Sequence, residues 1–486
     1  MTFAIGVNES LAKDRIVYFS DSTSCAFFEN SNFHIGSSGI IATKGKMVFS
    51  GNVNVDTDST DTTNGVILGD GTPRGDITAE FYPASYVNFR NGHLVYNEYD
   101  PNRFVSKSTY SRLVRGETNT FHIEKNQKFK NVTISVAENS ALTVADGTLV
   151  NYENCKMSLP GVKFEITGSR YNTYTSLLNG NDEIFLQEGI LPLYTVVQNS
   201  GNLISGNGSI SGGINLVGSS AEVIFNLNGS LENSITFVGG GKVVLAQDLE
   251  FIKDKTFLGE GIVNLNNNDL ILGSQDSTWA TPLYFDGDGG KIKLNSNVSL
   301  ATTWTVSGNC RIQGNNNVLI MYPAGNIVVE RGSILELKDI RIYGLSGDNI
   351  RCLDDSGTII FDTVKSKITD DCCFEKGSLE VDYYWDLRGE YTFSYKSLMP
   401  ATINHCSTWN FFPGMTFSYC PESNANNLIV METDESVLVL DDAVLHSTTT
   451  GLNLTKGQMY INGNCSLISD ATCRSEGIVF GDGILL

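Results

Sequence analysis

The sequence predicts an all-β fold: a single-stranded parallel β-helix, or β-solenoid, with little or no helix. Three observations predict it. The first is self-similarity. DRIVYFSDSTSCAFFENSNFHIGSSGIIATKGKMVFSGNVNVDTDSTDTTNGVILGDG, ending at Gly71, returns as NLIVMETDESVLVLDDAVLHSTTTGLNLTKGQMYINGNCSLISDATCRSEGIVFGDG, ending at Gly483. The two align without a gap at a constant offset of 412 residues, as His34 and His446 show. Lys44-Gly45 falls on Lys456-Gly457, Gly51-Asn52 on Gly463-Asn464, and Gly69-Asp70-Gly71 on Gly481-Asp482-Gly483. A chain that carries a copy of one of its own segments is a stackable object. The second observation is a run of short segments of alternating polarity, broken by Gly, Asn, Ser or Asp, with no run of 3.6-residue periodicity. The third is composition. Of 486 residues, 48 are Gly and only 10 Pro, and 41% are apolar, which is too apolar for a disordered chain. Abundant Gly and Asn suit tight turns at positive φ.

Taken in order, residues 1–71 read as N-terminal coils, through the runs IVYF, CAFF, KMVFSGNVNV and GVILGD. Residues 72–120 break the rhythm with Pro73, Pro83 and Pro101 and many Tyr, and read as a less regular excursion. Within it, Arg74-Gly75-Asp76 spells a short adhesion tripeptide of a kind that chance produces often. The strand-turn rhythm resumes over 121–422, the main solenoid, with turn signals every few residues and no linker. Residues 423–486 form C-terminal coils that duplicate 11–74.

A small signature marks the bends: apolar, any, Lys or Arg, Gly, any, apolar. It occurs at 42–47, 329–334, 374–379 and 454–459, with Gly45, Gly332, Gly377 and Gly457 at the bend. The interval from Arg331 to Lys376 fits two coils of a solenoid. Asn266-Asn267-Asn268 and Asn315-Asn316-Asn317 also sit at turns, where stacked Asn side chains are expected to bond along the axis. The aromatic-dense runs at 171–178, 382–396 and 408–421 are expected to pack inside.

The net charge of −21 argues against a nucleic-acid partner, because phosphate binding needs a basic face. No stretch approaches the roughly 18 apolar residues of a membrane-spanning helix. The first residues, MTFAIGVNES, lack the basic start of a signal peptide, so the chain reads as a mature portion or as one exported by another route. The ten cysteines contain no CxxC pair, which leaves zinc unsupported. Most read as small buried hydrophobes, and adjacent Cys372 and Cys373 must point to opposite faces of a strand. His34, His93, His122, His405 and His446 never pair at metal-ligand spacing. The acidic groups Asp354-Asp355, Asp370-Asp371, Asp441-Asp442, Asp286 and Asp288 fall at turns, where Asp is favoured without any catalytic role. The run Asp286 to Gly290 could offer oxygens to calcium but lacks the repeat and loop spacings that such sites use. No residue is therefore assigned a catalytic, cofactor-binding or metal role, and the chain does not read as an enzyme.

The rhythm, the Gly/Asn/Ser/Thr bias and the Lys-Gly turns resemble right-handed parallel β-helix passenger regions of bacterial surface proteins, both autotransporters and filamentous-haemagglutinin-type adhesins. The run IRCLDDSGTIIFDTV, FEKGSLEV and GEYTFSYKS, followed by TTTGLNLTKG and FGDG, resembles more closely the long uncharacterised repeat proteins of bacteria that live inside protists. The resemblance covers 11–71 and 310–486 well and the middle only in style. It implies a right-handed, elongated solenoid, located outside the cell or on its surface, with no catalytic residues. The expected function is a structural protein that associates with itself end to end into a fibre, or forms the rod of a longer tandem-repeat surface protein. The expected partner is self, with a host or neighbouring cell surface a further one. Two alternatives stand beside it: an adhesin whose solenoid is a stalk bearing 72–120, and a polysaccharide-degrading β-helix enzyme.

Overall fold

Alternation is the physical origin of every strand. In Thr303–Ser307 the side chains of Trp304 and Val306 point inward while Thr303, Thr305 and Ser307 are half-buried. Successive side chains of a strand point to opposite faces, so TWTVS can bury one side only as a strand. The structure is a computed structural model. It describes residues 194–273, 275–421, 427–448 and 451–470 with their side chains, and elsewhere the backbone of strands and a few single side chains. No helix occurs among the described residues. The chain divides into two compact units, Met1–Val243 and Val244–Leu486.

In the second unit each coil holds three strand positions, and a strand pairs in parallel with its counterpart one coil on. Gly261–Asn264 pairs with Leu283–Asp286, Asp269–Leu272 with Lys291–Leu294, and Ser277–Trp279 with Val298–Leu300. The next coil is Thr303–Ser307, Asn309–Gln313 and Val318–Met321. Two later strands turn corners without a break: Ile334–Gly347, and Thr358–Phe374 with a register shift between Asp362 and Val364. Register carries one column of inward side chains through the unit: Leu249, Leu270, Ile292, Ile312, Leu337, Phe361, Val381, Ile403 and Met431. All nine are apolar groups with no more than a few per cent of their surface exposed, which is what a parallel sheet covered on its inner face requires.

The aromatic residues fill the interior, as the sequence leads one to expect. All four tryptophans, Trp279, Trp304, Trp385 and Trp409, are fully buried. Trp385 stacks on Phe361 at 3.8 Å and on Trp409 at 5.4 Å between ring centroids. Phe411 stacks on Phe417 at 4.6 Å. An aromatic ring of this size removes about 150–250 Å² from water, so each contributes about 4–6 kcal/mol of transfer free energy. Tyr383 and Tyr391, from the same dense run, are instead exposed.

The first unit follows the same scheme. Asn202–Ile210 pairs along its length with Glu222–Leu231, and Tyr194–Val197, Ile214–Val217 and Ile235–Val238 form a third ladder. Nearer the start, Gly65–Leu68, His93–Tyr96, Thr120–Ile123, Ala141–Ala145 and Lys163–Thr167 pair successively in parallel. Residues 72–120 thus contribute backbone strands to the ladders, among them Thr78–Phe81, Ser85–Arg90 and Ser111–Arg115. The tripeptide Arg74-Gly75-Asp76 lies outside the described residues.

Candidate functional site

The duplicated segment is the feature to build from. Cys25–Glu29, Asn32–Ile35, Ile40–Ala42, Lys46–Ser50 and Gly65–Leu68 are strands in the first copy. Their counterparts are Val437–Asp441, Val444–Ser447, Leu452–Leu454, Gln458–Asn462 and Ile478–Phe480. The pairing register is also the same. Cys25 opposes Lys46 and Val437 opposes Gln458; Asn32 opposes Asn54 and Val444 opposes Ser466; Ile40 opposes Val66 and Leu452 opposes Ile478. Each member of these pairs differs from its counterpart by the sequence offset, so the likeness extends from residues to backbone hydrogen bonding.

The structure extends the repeat beyond what the ungapped alignment reaches. Thr2 opposes Asn32, and Thr416 opposes Val444, the counterpart of Asn32. Met1-Thr2-Phe3 therefore answers Met415-Thr416-Phe417. Two residues more in the first copy's connection hide this from an alignment without gaps. The shared tripeptide was the available signal.

The bend at Gly45 lies outside the described residues; the other three behave as the signature requires, with one exception. Gly332, Gly377 and Gly457 have φ of 67°, 82° and 75°, a region that disfavours any side chain. Register carries Ile334 to Thr358 and then to Ser378, two coils over the interval between the two signatures. The exception is Ile334, which is exposed; Leu335 takes the inward place because the strand enters one residue later.

The acidic pairs fasten coil to coil. Arg331 Nε donates to Asp354 Oδ2 at 2.6 Å, and the Ser356 hydroxyl and amide donate to Asp354 Oδ1. These Ser356 bonds, and then the Arg331 guanidinium, hold the Asp354 carboxyl below its ordinary range. Gly332 N donates to Ser356 Oγ at 2.8 Å, and Gly377 N to Asp355 Oδ1 at 3.4 Å. Asp371 Oδ1 accepts from Thr392 N at 2.8 Å, and Asp370 Oδ1 from Asp371 N. Asp441 accepts from Asn462 Nδ2, Asp442 from Asn464 N, and Asp286 from Asn264 Nδ2. Asp288 occupies a turn at φ 38°. The setting of Asp354 is the opposite of what a general acid needs, an environment that raises its carboxyl.

The asparagine runs are corrected in detail. Asn266, Asn267, Asn315 and Asn316 all adopt positive φ, as tight corners ask. The Asn-to-Asn bond within these two runs, from Asn268 Nδ2 to the Asn266 carbonyl at 2.7 Å, is local and does not run from coil to coil. Asn266 and Asn268 both donate to the Leu245 carbonyl, and Asn315 and Asn317 both to that of Leu294. The two runs sit at different corners of the coil, so no shared ladder forms; each clips its own corner to the coil before.

Cys372 is buried and Cys373 half-exposed, as neighbours on a strand must be. Burial pushes the thiols of Cys310 and Cys352 up to about 12, and burial followed by the charge of Glu375 pushes Cys373 up to about 11. None of these three is a ready thiolate. His446 Nε2 lies 2.8 Å from Asp470 Oδ2. His405 Nε2 lies 3.2 Å from Cys406 Sγ, and its Nδ1 is 3.1 Å from Thr433 Oγ1. His34, His93 and His122 lie on backbone strands only. Among the described residues no group of three His, Cys, Asp or Glu side chains converges on a metal-holding geometry. Also among them, no helix is long and apolar enough to cross a membrane.

One carboxylate that sequence reasoning passed over is unusual. Desolvation, and then the charge of Asp382, raises Glu380 above the ordinary carboxyl range. The signal was its place in LEVD, where Glu380 shares the outward face with Asp382.

Compared with protein-family models, with curated proteins and with solved structures, the chain matches none.

Proposed function

We propose that the chain is a structural surface protein whose coils serve as a rod, and that copies of it continue one another end to end. The observation that carries this reading is the equal register of the two copies of the repeat. The two coils of 437–480 present the same pairing offsets as the two coils of 25–68. Whatever coil follows one of them geometrically fits the other. In a parallel solenoid the open strand of an outer coil is an unpaired edge, and edges join by strand addition. A head-to-tail contact that does not close into a ring gives a fibre. The same geometry serves a rod of tandem copies within one longer chain. A place outside the cell or on its surface follows from the resemblance to bacterial β-helix surface proteins.

The test is sedimentation and negative-stain imaging of the purified chain over a rising concentration series. Fibres that lengthen with concentration are expected. Particles that keep a single size throughout would sink the self-association, and a covalent dimer joined at the repeat that imaged as two detached bodies would sink the tandem version as well.

A further inference from the structure

In a chain of net charge −21, one outward face of the second unit is basic. Arg341 and Tyr343 lie on Ile334–Gly347, Lys365 and Lys367 on Thr358–Phe374, and Arg388 ends Ser378–Arg388. All five side chains are exposed. Register sets Arg341 directly against Lys365, and Lys367 directly against Arg388. Like charges opposed on neighbouring strands repel, so this arrangement opposes folding.

Other cations on the same ladders find carboxylate partners, although Lys291 also stands opposite Arg311. Lys338 opposes Asp362 and bonds to it, Arg311 pairs with Glu336 at 2.7 Å, Lys293 with Asp269, and Lys396 with Glu375 at 3.1 Å. Among the described residues the ion pairs involve neither Arg341, Lys365 nor Lys367. One carboxylate, Asp386, serves this face: it lies 3.8 Å from Arg388 and stands opposite Lys365 in the register. The cations rest instead on aromatic rings: Lys365 over Tyr384, Lys367 over Tyr343 and Arg388 over Phe412 at 3.9 Å. Cation–π contacts hold these side chains in place, and with Asp386 alone among four cations the face keeps a net positive charge. Together with Val318 and Ser366 the cations line a groove of about 420 Å³.

We propose that this groove binds an acidic polysaccharide. The cations step along the coil axis at the strand spacing of about 4.8 Å, which suits a linear polymer with a carboxylate on successive units. Tyr343, exposed and itself lining the groove, offers the ring face that Lys367 leaves open, on which the C–H faces of sugar rings pack. An acidic peptide offers carboxylates on flexible stems and has no such ring face. The acidic remainder of the molecule repels polyanions, so binding is confined to the stripe. This inference is independent of end-to-end association.

The test measures binding of the full chain to alginate, to neutral dextran and to poly-L-glutamate, by affinity electrophoresis at several salt concentrations. Alginate is expected to bind, more weakly as salt rises, and dextran not to bind. The variant Lys365→Glu/Lys367→Glu is expected to weaken alginate binding by about tenfold or more, the loss of at least one charge-assisted bond. The charge-matched control Lys376→Glu/Lys456→Glu, at exposed bends, is expected to stay within about twofold. Lys367→Gln, which faces Arg388 and no carboxylate, guards against misfolding as the explanation: relief of repulsion leaves its thermal midpoint at or above that of the parent while alginate binding falls. Absence of alginate binding, or equal binding by the Lys365→Glu/Lys367→Glu variant, overturns the proposal. Poly-L-glutamate bound as tightly as alginate overturns it too, and assigns the groove to an acidic protein segment.

Discussion

Single residues in the interior differ in what they leave behind when changed. Trp385 donates from Nε1 to Ser366 Oγ at 2.9 Å, and Ser366 is itself buried. Trp409, stacked on it, has no partner for its Nε1. Trp385→Phe strands a buried hydroxyl and is expected to cost about 1–3 kcal/mol beyond the loss of ring area. Trp409→Phe removes an already unpaired donor and is expected to cost under about 1.5 kcal/mol. Denaturant titration of both variants checks the order, and equal losses would refute it. Glu380 supplies a pH prediction at the same scale. Its folded carboxyl is raised, so the folded state binds its proton more tightly than the unfolded chain does. Its contribution is most favourable below the ordinary glutamate range and is lost as pH rises through the raised folded value. Glu380→Gln is therefore expected to stabilise at pH 7 and to change little at pH 3, read by thermal midpoints at the two values.

At the scale of strands and corners, backbone pairing comes from the coil and corner bonds fix where each coil bends. Asn202 shows how much one corner residue does. It is fully buried, accepts from Gly180 N, and donates from Nδ2 toward the carbonyls of Gln198, Asn199 and Glu222. These groups belong to three successive coils. Asn202→Ala leaves several buried backbone groups without that side chain and is expected to cost about 3 kcal/mol, whereas Asn315→Ala, at a half-open corner bond of 3.3 Å, is expected to cost about 1 kcal/mol or less. Hydrogen exchange of the amides around each corner measures both. The strands themselves were legible because TWTVS or KVVL can hide one face in only one way. The bends were legible where Gly must take positive φ. The partners were not, because Asp354, Asp371 and Asn315 bond to residues a whole coil away, and no local pattern states the length of that coil. Coil length varies, as the late entry of Ile334 shows, so register had to be seen before the basic stripe of Arg341, Lys365, Lys367 and Arg388 could be recognised.

For the molecule as a whole, the telling relation is the interchangeability of two segments that share strand bounds and pairing offsets. Repeat proteins draw their stability from each coil and its immediate neighbours, so a coil can be exchanged if it offers the same faces. Grafting residues 25–68 in place of 437–480 puts Ala26 and Phe28 on the positions of Leu438 and Leu440, and Phe33 on that of Leu445, all three of them fully buried. The graft is expected to keep one cooperative transition, with a thermal midpoint lowered by about 4–20 °C because Ala26 on the Leu438 position leaves a cavity that costs about 2–5 kcal/mol. A graft begun one residue later, with 26–69, keeps the composition almost unchanged and slips the register by one. It sets Glu29 on the position of Leu440 and His34 on that of Leu445, and every alternating side chain changes face. An unpaired carboxylate buried in that interior is strongly unfavourable, so the slipped graft is expected to lose the cooperative transition of this region. Two grafts of equal stability would mean that composition rather than register makes the two segments alike, and end-to-end continuation would lose its geometric basis.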